Sequence, residues 1–141
     1  DPIQLQLALT PRAFGELVHA WPPEHLARYR AHFPADFAML VCYGAFGRWL
    51  CTRTALTRPL PIEWRAAARW MLPLAAACDA AENWAHLWLT ELPRFGMAWL
   101  YASSATVAAL KWVLLAGFAL TVLAALAAHA WSRWGQRGHP A

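Results

Sequence analysis

Charged residues are scarce in this chain: of its 141 residues, only 14% are Asp, Glu, Lys or Arg. Soluble domains carry about a quarter charged residues, so this scarcity argues against a soluble domain and, more strongly, against a disordered tail. The chain has a single lysine, Lys111, and three cysteines, Cys42, Cys51 and Cys78, none of them in a CxxC pair. That spacing excludes a disulfide-stapled miniprotein and predicts that the cysteines are small buried hydrophobic residues.

Apolar and aromatic residues are abundant instead. Hydrophobic residues make up 60% of the chain, the mean hydropathy is +0.30, and there are ten tryptophans. Indole rings concentrate where a bilayer meets water, so the composition indicates an integral membrane protein. The abundance of alanine and arginine suggests a bacterial origin, and hence the cell (inner) membrane. The net charge of +4 comes from arginines that flank apolar runs rather than from one basic stripe, so no nucleic-acid partner is expected.

The hydropathy pattern predicts an all-α fold: a bundle of three transmembrane helices over residues 35–134, preceded by short amphipathic interfacial helices. The third span is the clearest, because Trp112 to Ala128 is apolar apart from Thr121. The spans are placed at about 35–56, 64–92 and 97–131, and residues 135–141 form a cytoplasmic tail.

Residues 1–34 are less hydrophobic and carry helix signals. Ile3 to Leu7 is expected to be extended, after which Thr10 followed by proline predicts a helix start. An apolar face runs from Phe14 to Trp21, and Pro22-Pro23 ends that helix and starts another. Two such helices suit a membrane surface or a soluble docking face equally well.

The arginines set the expected orientation. Those around the loop between the first two spans are Arg48, Arg53, Arg58, Arg65 and Arg69. By the positive-inside rule this loop and the C-terminus are cytoplasmic, and residues 1–34 are extracytoplasmic. An N-terminus on that side favours a further helix upstream of Asp1.

A polar stripe interrupts the second span. Asp79, Glu82, Asn83 and His86 occupy an arc of about 100° on one helix face. A carboxylate near the bilayer centre costs about 3 kcal/mol, so these side chains are expected to point into the bundle.

The third span offers a partner for the stripe. Asp79 lies thirteen residues before Leu92, and Lys111 lies fourteen residues after Met97, so the two are level in an antiparallel hairpin. We therefore expect Lys111 to pair with Asp79 or Glu82. One lysine cannot neutralise two acids, so the second carboxyl is expected to be protonated or shared with His86.

Three interpretations of this cluster compete. It can be a structural ion-pair network that fixes helix register, in which case the protein is a non-enzymatic accessory component that packs against a protein partner or a second copy in the bilayer. It can be a proton or ion relay of a proton-coupled transporter. It can also be the metal site of a membrane-embedded hydrolase, with Asp79, Glu82 and His86 as ligands and His32 or Asp36 completing the set. One helix supplies a single histidine and no HExxH occurs, so no metal and no cofactor is expected.

Several short motifs resemble a known pattern. Asp79 to Asn83 reads Asp-x-x-Glu-Asn, and it is followed by the hydroxyl-rich Ser103 to Thr106 and by Lys111-Trp112. This order is similar to that of small uncharacterised bacterial polytopic membrane proteins, and Phe14 to Trp21 and Asp36 to Tyr43 look similar too. The resemblance implies a four-helix arrangement with an upstream helix, and it implies no activity.

Overall fold

The computed structural model describes residues 2–92 and 94–137, and in these ranges the chain forms helices joined by turns. The helices are α1 (Pro2–Gln6), α2 (Pro11–His19), α3 (Pro23–Ala31), α4 (Phe33–Arg53), α5 (Ile62–Leu89) and α6 (Ala98–Arg137). The predicted all-α class is confirmed. Helices α1–α3, residues 2–31, are called the N-terminal cap below.

The long helices α4, α5 and α6 form an antiparallel bundle in which α5 packs against both neighbours. A core of Cys51, Ala68, Leu72 and Phe118 joins all three helices. The approach of α4 to α5 is close, because a Cβ built at Gly47 would lie 2.5 Å from the Cβ of Leu72. The absence of a side chain at Gly47 thus permits this close approach.

The N-terminal cap packs on the end of the bundle where α5 ends and α6 begins. Thr10 caps α2 by accepting a hydrogen bond from the Ala13 amide at 3.1 Å, as its position before a proline predicts. The apolar face of α2 points inward, where Phe14 is buried with Leu89 and Tyr101. The cap helices therefore pack on the bundle through their apolar face.

The extended segment predicted from Ile3 to Leu7 is wrong, because Pro2–Gln6 is helical. The alternation of apolar and polar residues is short, so it does not outweigh the burial of apolar side chains that a helix allows here. Helical geometry puts Leu5 and Ala8 on one side of the chain, where both are buried in the core of the cap.

Each predicted span corresponds to a helix, with shifted ends. Helix α4 starts at Phe33 because Pro34 is tolerated in the first turn. Helix α5 starts directly after Pro61 and ends at Leu89, before the turn that leads to α6. Helix α6 continues to Arg137 and so takes up the start of the predicted tail, whereas residues 138–141 of that tail lie outside the described residues.

Only α6, among the helices of the described ranges, is long and apolar enough to cross a membrane by length and composition. Its span Ala98–Trp134 has a mean hydropathy of 2.1 in its most apolar window, and only 17% of that window is buried, unlike a soluble core helix. Helices α4 and α5 fall short of the same standard. Their arginines and the polar stripe of α5 lower their hydropathy, so the three-span arrangement is not established by composition.

The three cysteines are free thiols in different surroundings. Cys51 is buried and Cys78 is half-buried, but Cys42 is exposed, which corrects the expectation of a buried residue there. Cys42 lies on the far side of α4 from the buried Leu40 and Gly44.

Candidate functional site

Lys111 joins the two carboxylates of the α5 stripe. Its Nζ donates to Oδ1 of Asp79 at 3.0 Å and to Oε2 of Glu82 at 2.7 Å. Lys111 and Glu82 are only 3% and 1% exposed, and Asp79 is half-buried, so the ion triad lies largely inside the bundle. The pairing expected from the level positions on α5 and α6 is confirmed, with both acids as partners instead of one.

A tyrosine from α4 completes what we call the Lys111 network, formed by Lys111, Asp79, Glu82 and Tyr43. The Tyr43 hydroxyl donates to Oδ2 of Asp79 at 3.1 Å. Asp79 therefore holds α4, α5 and α6 together. The sequence did not single out Tyr43 as a partner of the stripe. Its hydroxyl lies level with Asp79, which is the signal that could have identified it.

The other oxygen of Glu82, Oε1, is buried with no hydrogen-bond partner among the described residues. The Ser104 hydroxyl oxygen is likewise buried and without a partner there. Ser104 lies two helical turns before Lys111 on the same side of α6. The polar interior of the bundle therefore extends towards the start of α6.

His86 does not share the second carboxyl, so that one of the two predicted alternatives is wrong. Its Nδ1 lies 2.6 Å from the hydroxyl of Tyr29, and its ring meets Phe14 edge-on at 5.5 Å. His86 lies one turn beyond Glu82, directly under α3, and it is 1% exposed. Burial, together with the negative charges of Glu82 and Asp36, raises the pKa of Tyr29, so the phenol keeps its proton and can donate a hydrogen bond to Nδ1 of His86.

Hydrogen bonds of two further side chains, Asn83 and Arg30, connect α4 and α3 to α5. The Asn83 amide donates to a carboxylate oxygen of Asp36, in the first turn of α4. The Arg30 guanidinium donates to the Leu87 carbonyl at 2.9 Å and to the Thr90 hydroxyl at 2.8 Å, at the C-terminal end of α5. The sequence did not single out Arg30, although a basic side chain is well suited to the last carbonyls of a helix.

The proposed metal ligands are not brought together. Within residues 2–92 and 94–137, no group of three or more His, Cys, Asp or Glu side chains could hold a metal ion. Lys111 binds Asp79 and Glu82, while His86 faces Tyr29. His32, offered as a completing ligand, contacts the backbone carbonyl of Tyr29. The geometry therefore gives a metal-dependent hydrolase no ligand set in this part of the chain.

A cavity of about 580 Å³ lies between α3 and the bundle, and we call it the cap pocket. Its charged and titratable lining residues are His25, Arg28, Tyr29, His32, Lys111, Asp36 and Asp79. Asn83 and Gln6 add neutral polar groups, and Trp21 supplies an aromatic surface. The buried Lys111 network thus borders a space that is lined on its other side by exposed residues of α3.

No family model, no curated protein and no solved structure matches the chain. The chemistry of the site is therefore argued from its own geometry. The resemblance carried by Asp79 to Asn83, Ser103 to Thr106 and Lys111-Trp112 stays a prediction.

Proposed function

We propose that this chain is a non-enzymatic accessory or assembly component of the cell (inner) membrane, in which α4, α5 and α6 span the bilayer. The observation that carries the proposal is the bridging position of Lys111 between Asp79 and Glu82. Lys111 of α6 pairs with both carboxylates of the α5 stripe and offsets one of their two negative charges. A network of this kind serves to hold helices in one register rather than to act on a substrate.

The membrane placement draws support from the surface of the bundle. Apolar side chains on the outside of α4 and α6, including Met39, Val41, Val113 and Leu120, are 62–72% exposed. Surfaces of this size on a soluble monomer would promote aggregation, whereas lipid tails would cover them favourably. The proposed partners are accordingly the bilayer and, on part of this surface, another polypeptide or a second copy of the chain.

The proposed orientation places the N-terminal cap outside and the C-terminus in the cytoplasm. It rests on the arginines in the loop between α4 and α5 and in the adjoining helix ends. At the cap end of the bundle, acidic and basic residues are more nearly equal in number. Arg48 lies over the Trp70 ring at 4.3 Å, an arrangement that suits a cation and an indole at a membrane boundary.

The test first removes the charge of Lys111 and then also the charges of the two carboxylates bound to it. Lys111→Met leaves two buried carboxylates without a cation, which we expect to cost about 3–5 kcal/mol and to lower the amount of folded protein in the membrane. A triple variant, Lys111→Met with Asp79→Asn and Glu82→Gln, is neutral and should recover most of that loss. Accumulation of Lys111→Met at the wild-type level would contradict a structural network.

The accessory role has its own readout. Native mass spectrometry of the protein, extracted gently from its own membrane, should give a mass that includes another polypeptide. The neutral triple variant should retain that polypeptide, because the network acts on the fold and not on the partner. A mass of the chain alone, at all protein concentrations, would contradict the accessory role.

A second candidate is a proton-coupled transporter, which one observation favours. Asp79 and Lys111 line the cap pocket, and Glu82 keeps an unpartnered oxygen next to them. Titratable groups that reach from a cavity into a bundle are the parts of a proton path. Glu82→Gln distinguishes the two functions, since it should abolish transport while sparing the fold if the second candidate holds.

A further inference from the structure

The cap pocket holds two opposite charges that the protein does not itself neutralise. Arg28, on α3, is exposed and has no ion pair in the part of the chain that the structure describes. Asp36, at the start of α4, accepts from the neutral Asn83 amide and likewise has no cationic partner there. The two residues line the same cavity without pairing with each other.

We propose that the cap pocket binds a zwitterionic phosphoester of the phosphoethanolamine type, either as the headgroup of a phospholipid or as the free headgroup. An unpaired guanidinium and an unpaired carboxylate on one cavity favour a molecule with both an anionic and a cationic group. A ligand with only one charge would leave one of the two unsatisfied.

The residues on each side fit the two ends of such a ligand. His25 and Arg28 of α3, and His32 directly after its last residue, follow one another at spacings of three and four residues and line the cavity together. A guanidinium flanked by imidazoles provides fork-shaped donors for phosphate oxygens. Asp36 would accept hydrogen bonds from the primary ammonium, and the Trp21 ring offers a further surface for a cation.

The size and the place of the cavity agree with this ligand. A volume of about 580 Å³ lies in the range of sites for small molecules and accommodates a headgroup with its glycerol. Asp36 is in the first turn of α4. If α4 spans the bilayer, Asp36 lies at the level of the lipid phosphates, so binding of a phospholipid headgroup rests on the proposed function. Binding of the free headgroup does not depend on the proposed function.

The experiment measures ligand binding to the purified full chain in lipid-free detergent by native mass spectrometry. The probes are palmitoyl-oleoyl phosphatidylethanolamine, phosphatidylglycerol with the same acyl chains, and water-soluble glycerophosphoethanolamine. We expect phosphatidylethanolamine to bind more tightly than phosphatidylglycerol. Arg28→Gln should weaken both lipids about tenfold, as the loss of a charge-assisted hydrogen bond implies. Asp36→Asn can still accept from Asn83, and it should remove the preference between the two lipids.

Arg12→Gln is the matched control, because Arg12 is an exposed arginine of the same cap that pairs with Glu16 and does not line the pocket. It should bind both lipids like the wild type. Displacement of phosphatidylethanolamine by glycerophosphoethanolamine would support the free headgroup as the ligand, and binding that requires acyl chains would support the lipid. Equal binding of the two lipids to the wild type, or unchanged binding by both Arg28→Gln and Asp36→Asn, would overturn the proposal whatever the outcome for Lys111.

Discussion

The Nζ of Lys111 lies 2.7 Å from Oε2 of Glu82, and both side chains are almost wholly removed from solvent. Such a pair binds α5 to α6 at one register, since a shift by one residue would turn either charge towards an apolar neighbour. Desolvation offsets much of the attraction between the two charges. The pair therefore contributes more to the uniqueness of the helix arrangement than to its free energy of unfolding.

Asp79 extends this relationship to the third helix. It accepts from Lys111 of α6 on one oxygen and from Tyr43 of α4 on the other. The α4–α5 interface also has close packing, as where Gly47 meets Leu72, and a further polar contact from Asn83 to Asp36. Asp79 and the Asn83–Asp36 contact therefore both favour one register of α4 against α5, and Asp79 also connects α5 to α6.

The attachment of the N-terminal cap can be tested at Arg30. Replacing Arg30 by Gln removes its charge-assisted hydrogen bonds to Leu87 and Thr90, so we expect the free energy of cap docking to fall by about 1.5–3 kcal/mol. Amide hydrogen exchange in phospholipid-free detergent should accelerate in α2 and α3 and stay unchanged in α5 and α6. Arg28→Gln, on the same helix but with no such contact, should leave the exchange of the cap unaltered. Equal acceleration by both variants would contradict the assigned role of Arg30.

The sequence predicted the Lys111 network well and the cap poorly, for a physical reason. Helices joined by a short turn have a fixed register, so counting residues from the turn suffices to place Lys111 beside Asp79 and Glu82. The partner of His86 is instead Tyr29, which lies fifty-seven residues earlier in the chain, on α3. The periodicity of the sequence does not predict where α3 docks.

Local patterns also failed where tertiary contacts outweigh them. The alternating residues Ile3 to Leu7 are typical of an extended segment, but burial of Leu5 against the bundle favours a helix. The expectation for Cys42 failed similarly, because an apolar segment can be covered by lipid or a partner rather than by its own chain. Composition predicts that such a residue avoids water, and it does not predict which surface covers it.

Two glycines in the bundle should respond to alanine in opposite ways. Gly47→Ala would place a Cβ 2.5 Å from the Cβ of Leu72, so α4 must move away from α5, at a cost of about 1–3 kcal/mol. At Gly117 the nearest atoms belong to Met71 at 3.9 Å, an ordinary contact. Gly117→Ala should therefore stabilise α6 by about 0.5–1 kcal/mol. Thermal unfolding in detergent gives both values, and a stabilising Gly47→Ala would contradict the close approach of α4 to α5.

The proposed topology can be tested with single cysteines placed at the two ends of the bundle. The background carries Cys42→Ser, Cys51→Ala and Cys78→Ala, and it receives either Glu24→Cys in the cap or Arg58→Cys between α4 and α5. Both positions are exposed, so accessibility within the protein does not limit their reaction.

With a membrane-impermeant maleimide on intact cells, we expect Glu24→Cys to react and Arg58→Cys to stay unmodified, because the proposed topology puts the arginine-rich loop on the cytoplasmic side. After permeabilisation both should react, which controls for folding and exposure. The reverse labelling pattern would contradict the proposed orientation, and it would still be compatible with three spans. Reaction of both positions in intact cells would instead contradict an odd number of spans between them, since Glu24 and Arg58 are separated by α4 alone.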